Sequence, residues 1–325
     1  MNPKSIFEIK SETDFKNKAL EIFSFQYENN MIYNSFCKLL NKDPSLVQNI
    51  NEIPFLPINF FKNHEVLINS HKIQKIFTSS GTTGSVLSKH HIVDLNIYEE
   101  SFEKSFKIFY GDIEDYTILA LLPSYTERNN SSLVYMVNEL IKKSKKSESR
   151  FYLNEINELI KTILELEKNK QKTILFGVSY ALLDLIEIHK FKLKHTIIIE
   201  TGGMKGRRKE MIKDELHKKL KNGFGVSQIH SEYGMTEILS QAYSKANGIF
   251  QTPNWMKVII RDINDPQNMN FNKLSGGINI IDLANLYSCC FIATDDLGKS
   301  YGDNKFEILG RIDNSDLRGC NLLVD

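Results

Sequence analysis

Cysteine is scarce in this chain of 325 residues: Cys37, Cys289, Cys290 and Cys320 are all there is. So few in so long a chain make no disulfide framework, and no Cys-x-x-Cys pair offers a zinc site. Net charge is nearly absent too. Lys and Arg number 41 against 40 Asp and Glu, a formal +1, which argues against a nucleic-acid binder working through bulk electrostatics. No apolar run approaches the roughly 20 residues of a membrane span. Met1-Asn2-Pro3-Lys4-Ser5 opens the sequence with no signal-peptide core behind it. The expectation is a reduced, cytoplasmic protein. There is no internal repeat and no low-complexity tract. What remains is ordinary globular composition, 41% hydrophobic and 25% charged, in a chain able to bury a large core and to divide into subdomains.

Periodicity places the elements. Phe15, Ala19, Leu20, Ile22, Phe23, then Phe36, Leu39 and Leu40, predict helices over 13–42. Pro44, Pro54 and Pro57 punctuate an extended segment leading to a strand over 73–77. Asp94 reads as the N-cap of a helix carrying Leu95, Tyr98, Phe102, Phe106 and Phe109. A buried strand follows over 117–122, then a helix over 132–141 and a long helix capped by Asn154. Strands over 173–176, 196–199 and 227–230 then alternate with helices over 180–189 and 209–221. This alternation predicts an α/β protein with a mostly parallel sheet, and ligands bind such sheets at the loops beyond the strands' carboxyl ends. From about Tyr243 the helical signal fades, and runs over 255–260, 276–282 and 290–293 predict a small β-rich region.

The loop Ser79-Ser80-Gly81-Thr82-Thr83-Gly84-Ser85 packs hydroxyls and glycines directly behind a strand. Glycine admits close backbone approach, while hydroxyls and free N–H groups donate to oxyanions, so the loop suits a polyphosphate. A polar surface turn is the alternative. It is not a Walker loop, for no Gly-Lys-Ser/Thr closes it. Tyr233-Gly234-Met235-Thr236-Glu237 offers a ring for a base and a carboxylate for magnesium, or simply a turn before a helix. Asp296, in Thr294-Asp295-Asp296-Leu297-Gly298, could hold ribose hydroxyls or belong to a plain acidic turn. His90 and His91, beside the loop, could assist charge balance but read first as structural histidines, and Cys289 and Cys290 read as core.

In order, these motifs resemble the adenylate-forming superfamily of acyl-CoA synthetases and luciferases, over roughly residues 50–320. The five are Ser-Gly-Thr-Thr-Gly, the Gly202-Gly203 turn, Tyr-Gly-x-Thr-Glu, Thr-x-Asp-Leu-Gly and Gly310-Arg311-Ile312-Asp313. Leu122-Pro123-Ser124-Tyr125-Thr126-Glu127-Arg128 and Glu200-Thr201-Gly202-Gly203-Met204-Lys205-Gly206-Arg207 look most like the LuxE-type acyl-protein synthetases. The resemblance implies that ATP and a fatty or other apolar carboxylic acid form acyl-AMP, with the acyl group then passing to a thiol. Ser80, Gly81, Thr82, Thr83 and Gly84 would hold the β- and γ-phosphates. Gly202 and Gly203 would lie along the adenine, Tyr233 beside Gly234 would stack on it, and Thr236 would reach the α-phosphate. Glu237 would bind Mg2+, Asp296 the ribose, and Arg311 would sit near ribose or phosphate.

Two departures qualify this. Lys89 stands later than the family's loop lysine. The hinge motif near 310–313 also comes close to the last residue, where the family continues into a lid domain. Residues 1–312 would then form the adenylation domain, β-rich over about 243–312, with 313–325 a truncated hinge and tail. The resemblance also implies Cys320, beside Arg318, as acyl acceptor, an inert packed cysteine being the alternative. The basic run over 205–221 would suit an acyl carrier protein or reductase as partner, or is a solvated amphipathic helix. A non-catalytic acyl- or nucleotide-binding subunit and one half of a split acyl-CoA ligase are the alternatives.

Overall fold

Capped helices begin the fold in the computed structural model, which describes residues 2–69, 72–79, 86–123, 128–202, 211–265 and 274–312. Ser11 accepts the Asp14 N–H at the start of α1 (Glu12–Asn29), and Asn30 accepts the Tyr33 N–H at the start of α2 (Met31–Leu39). After β1 (Leu56–Pro57) and α3 (Phe60–Asn63) comes an antiparallel hairpin, β2 (Lys75–Thr78) and β3 (Lys89–Ile92). The strand expected before the hydroxyl-glycine loop therefore lies in its own two-stranded sheet, outside the large one. Asp94 caps α4 (Leu95–Tyr110), as its position predicts.

The alternation then runs β4 (Thr117–Leu121), α5 (Ser132–Ser144), β5 (Arg150–Phe151), α6 (Ile156–Lys168), β6 (Thr173–Val178), α7 (Ser179–Ile188), β7 (Thr196–Thr201), α8 (Lys213–Phe224) and β8 (His230–Tyr233). Every residue of β4 and β6 is buried, because helices cover both faces of the sheet and leave no side for polar residues. Three sequence readings shift. Glu155, not Asn154, is the N-cap of α6, and it makes no side-chain cap bond. Gly177 and Val178 extend β6 beyond the expected 173–176, and Ser179 opens α7 directly after it. Strand β8 starts where 227–230 was to end, which puts Ser231, Glu232 and Tyr233 inside the sheet.

Among the described residues six more strands follow: β9 (Ala242–Ser244), β10 (Ile249–Gln251), β11 (Met256–Arg261), β12 (Ser275–Asp282), β13 (Phe291–Gly302) and β14 (Lys305–Arg311). The large sheet is ordered β11-β12-β13-β14-β10-β9-β8-β7-β6-β4-β5, with β1 paired to β13. From β5 to β8 all neighbours are parallel. From β8 to β11 all are antiparallel. The change of sense falls at β8, the strand that ends in the Tyr-Gly-x-Thr-Glu motif. The N-terminal helices pack on the antiparallel part through aromatic rings, Tyr33 stacking on Phe291 at 5.9 Å and Phe23 meeting it edge-on at 6.2 Å.

Candidate active site

Beyond Tyr233 the chain leaves the sheet, and Thr236 and Glu237 sit in a tight turn. Side chains distant in sequence hold that turn. Asp282, fully buried at the end of β12, takes the N–H groups of Leu239 (2.8 Å) and Ser240 (2.9 Å) on one oxygen. Its other oxygen takes the Ser240 hydroxyl (2.6 Å) and the Ala284 N–H (3.1 Å). Upstream, His90 of β3 bonds through Nδ1 to the Thr236 carbonyl at 2.8 Å. Burial pushes this imidazole down to about 4, although the carbonyl bond opposes the shift, so the ring is neutral near pH 7. Asn285 donates to the Glu237 carbonyl at 2.7 Å. Two consecutive carbonyls of the motif are thus pinned from two directions.

The Glu237 carboxyl is 6% exposed. Burial raises its pKa above the ordinary carboxylate value, while a bond with Ser88 and the charges of Arg311 and Lys62 offset this only in part. Ser88 also closes the neck of the hydroxyl-glycine loop. Its N–H donates to the Ser79 hydroxyl (3.0 Å), and its carbonyl accepts from the Ser79 N–H (3.1 Å).

Across from the turn, Tyr233 donates its hydroxyl to Asp296 Oδ2 at 2.7 Å. The ring rests edge-on against Phe306 at 5.5 Å and tilted against Phe250 at 5.8 Å. Asp296 on β13 stands in register with Arg311 on β14, and the guanidinium Nε lies 3.6 Å from Asp296 Oδ1. Arg311 is 75% exposed, so this pairing contributes little to stability and leaves the cation available. Burial raises the Asp296 pKa, against the Tyr233 bond and the Arg311 charge. The Tyr233 phenol is pushed well up by burial and by Asp296, and stays protonated.

Two buried carboxyls flank the ends of β7 and β8. Glu200 accepts from Ser179 (3.0 Å) and Ser231 (2.7 Å), with Lys213 at 3.5 Å and His217 at 3.4 Å. Burial alone would raise it, yet His217, Lys213 and Ser231 together bring it down to about 2. Glu232 accepts from Thr201 at 2.6 Å. With no cation beside it among the described residues, burial and the nearby Glu200 push it up to about 7. Gly202 follows Thr201 with φ of +65°, a left-handed turn that glycine makes without strain.

The structure therefore joins Tyr233, Asp296 and Arg311 and sets Thr236 and Glu237 beside them, with Gly234 exposed between. Gly202 directly follows the adjacent parallel strand β7. Lys89 is exposed on β3 opposite Thr78. Ser80, Gly81, Thr82, Thr83, Gly84, Gly203 and Cys320 lie outside the described residues. Cys289 and Cys290 are fully buried and free, as their apolar surroundings predict. Sequence reasoning missed Asp282, Asn285, Ser88 and the Glu200 cluster, and gave His90 no link to the motif. The one local signal among them was the Asp282-Leu283-Ala284-Asn285 turn after a strand.

Comparison with known proteins now decides the family. The family model described as "Acyl-protein synthetase, LuxE" matches residues 2–325. The chain belongs to the LuxE acyl-protein synthetase family. A curated LuxE-family relative, the long-chain-fatty-acid–luciferin-component ligase of Vibrio harveyi, is 26% identical over 92% of this chain and 84% of its own length. Among solved structures, a 2-hydroxyisobutyryl-CoA ligase in complex with 2-HIB-AMP and CoA shares the fold with a TM-score of 0.67. It is 13% identical and is covered over 93% of this chain and 68% of that one. ATP-bound MatB of Rhodopseudomonas palustris gives a TM-score of 0.54 at 17% identity, over 74% of this chain and 48% of that one. The chain thus spans about half the length of the MatB structures it matches. These likenesses carry the fold, an adenylate-forming ligase architecture of mixed α/β type.

Proposed function

We propose that this LuxE-family chain activates a fatty or other apolar carboxylic acid with ATP and passes the acyl group to a thiol. A carboxylate oxygen attacks the α-phosphorus, the bond to the β-phosphate breaks, and pyrophosphate leaves. A thiolate then attacks the acyl carbon, and AMP departs with the bonding pair. The observation that carries the proposal is the meeting of two motifs 63 residues apart, with Tyr233 donating to Asp296 at 2.7 Å. This puts an aromatic ring and a carboxylate for ribose hydroxyls at one place, with the exposed cation of Arg311 alongside. Catalysis of such a step rests on positioning and charge stabilisation rather than on covalent protein chemistry.

Glu237 fits a magnesium ligand. It is a buried carboxyl whose charged form is disfavoured by desolvation, the situation a nearby cation relieves. Among the described residues no group of three acidic, histidine or cysteine side chains could hold a metal ion. Magnesium usually takes one or two carboxylates together with phosphate oxygens, so a single glutamate suffices. Bound there, the ion would neutralise charge on the triphosphate. Thr236, whose carbonyl is held by His90, would reach the α-phosphate. Residues 1–312 act as the adenylation unit, and Cys320 in 313–325 is the acyl acceptor, from which a carrier protein or reductase takes the group. The described cysteines are buried and unpaired, which suits a reducing cytoplasm. No described helix is long and apolar enough to cross a membrane.

Exchange of labelled pyrophosphate into ATP, run against a panel of carboxylic acids, tests the first half-reaction. Acid-dependent exchange is expected, strongest with apolar acids. Its absence with every acid, in the presence of magnesium, would overturn the proposal. Labelled acid should then mark the protein through a hydroxylamine-labile bond, and Cys320→Ser should lose that mark while keeping exchange.

A further inference from the structure

Three polar atoms among the described residues are buried without a hydrogen-bond partner and belong to residues lining one crevice: His90 Nε2, His91 Nδ1 and Asn285 Oδ1. The crevice measures about 10 Å³ and runs between β3, the start of α4 and the 283–288 turn. That is room for roughly one water molecule. Ile97, Leu239 and Ala284 form apolar wall, and Asp94 supplies the one carboxylate on its lining.

The hydrogen-bonding character of two of the three atoms is fixed. A carbonyl only accepts, so His90 Nδ1 carries the proton it shares with the Thr236 oxygen. In the neutral ring Nε2 is then a lone pair. Asn285 Nδ2 donates both hydrogens, one to the Glu237 carbonyl (2.7 Å) and one to the Cys289 carbonyl (3.1 Å). Its Oδ1 is therefore an acceptor. Two buried acceptors on one crevice call for a small molecule bearing two donors, since an unsatisfied buried acceptor is costly.

We propose that the crevice binds one water molecule donating to His90 Nε2 and Asn285 Oδ1, and that the water joins these side chains into a single clamp on the Thr236 and Glu237 carbonyls. His90 and Asn285 are then positioning residues, neither touching substrate. The catalytic consequence rests on the adenylation proposed above; the water site does not. A monovalent cation could also sit between two acceptors. The mostly apolar lining offers too few oxygens to replace its hydration shell, and a neutral donor fits better.

Two measurements decide the matter. In a crystal structure of the wild type, an ordered water should bridge His90 and Asn285. A crevice empty at high resolution, or an anomalous peak there after soaking in rubidium chloride, would overturn the proposal whatever the activity of the enzyme. The second measurement is kinetic. His90→Phe should cut kcat for pyrophosphate exchange by about a hundredfold, as small misplacements of catalytic groups do, while the KM for ATP moves little. His90→Asn keeps a donor where Nδ1 stood and should restore most of that loss. Asn285→Asp, combined with His90→Phe, should add little to the single change, because both disable one clamp. Strictly additive effects in folded variants, or His90→Asn as impaired as His90→Phe, would refute the clamp. If the wild type exchanges no pyrophosphate, the adenylation proposal fails, and the bridging water still stands or falls on the crystal structure.

Discussion

Replacing Glu232 by Gln should stabilise the protein in mild alkali and leave it nearly unchanged in acid. Glu232 is 9% exposed, and its described partners are the Thr201 hydroxyl and the like-charged Glu200. Its folded pKa of about 7 exceeds the ordinary 4.5, so the fold binds this proton more tightly than the unfolded chain does. The stability the group contributes is complete below 4.5 and is lost as pH climbs through about 7. The full loss is roughly 3 kcal/mol at high pH, an upper figure because Glu200 and Glu232 influence each other. For a chain of 325 residues this corresponds to roughly 4 °C in Tm. A glutamine keeps an oxygen for Thr201 and carries no charge to bury. Thermal melts of both proteins at about pH 5 and about pH 8.5 are the assay, the variant gaining only at the higher value. An equal gain at both pH values, or none in alkali, would refute the reasoning.

Tyr233→Phe removes the hydroxyl bond to Asp296 but keeps the ring, so ATP affinity measured by calorimetry should fall by about 1 kcal/mol, roughly fivefold. Asp282→Asn presents an NH2 group to a site where both oxygens accept donors. Urea denaturation should register a loss of about 2–3 kcal/mol, and no loss would mean that the turn does not depend on this anchor. Glu237→Gln should lower pyrophosphate exchange by about a hundredfold or more, the scale of several kcal/mol lost with a metal ligand. Because burial raises the Glu237 pKa in the metal-free protein, magnesium binding to it should weaken on acidification with a midpoint above the usual 4.5. The acid limb should vanish in the glutamine variant, and a limb unchanged there would assign it to another group.

Where the sequence carries a strong period, its elements are legible. Strands β4, β6 and β7 are apolar runs buried on both faces, and α1, α2 and α4 present regular stripes to the core. Strand β8 is different. His230, Ser231, Glu232 and Tyr233 have no hydrophobic pattern, and the strand is set by register, Glu200 opposite Ser231, and by buried hydrogen bonds to Glu200 and Thr201. Propensity cannot anticipate that, so its expected position came out early in the chain. The candidate site residues could be named because their motifs stand in a recognisable order. Their supports were not: Asp282 reaches Ser240 across 42 residues and His90 reaches Thr236 across 146. Contacts of that span leave no trace in a local window.

The last described strand has a consequence for how the molecule is made. β14 does not lie at an edge; it sits between β10 and β13, pairing with both. While the chain emerges from the ribosome, β10 must therefore present an open edge until residues 305–311 are synthesised. Such an edge invites pairing with another chain. Asp296 and Arg311 also reach Tyr233 only at that moment. The nascent protein can complete its parallel half early. It acquires the proposed nucleotide site only once residues 305–311 have been made, when the strand that seals the sheet also delivers its arginine.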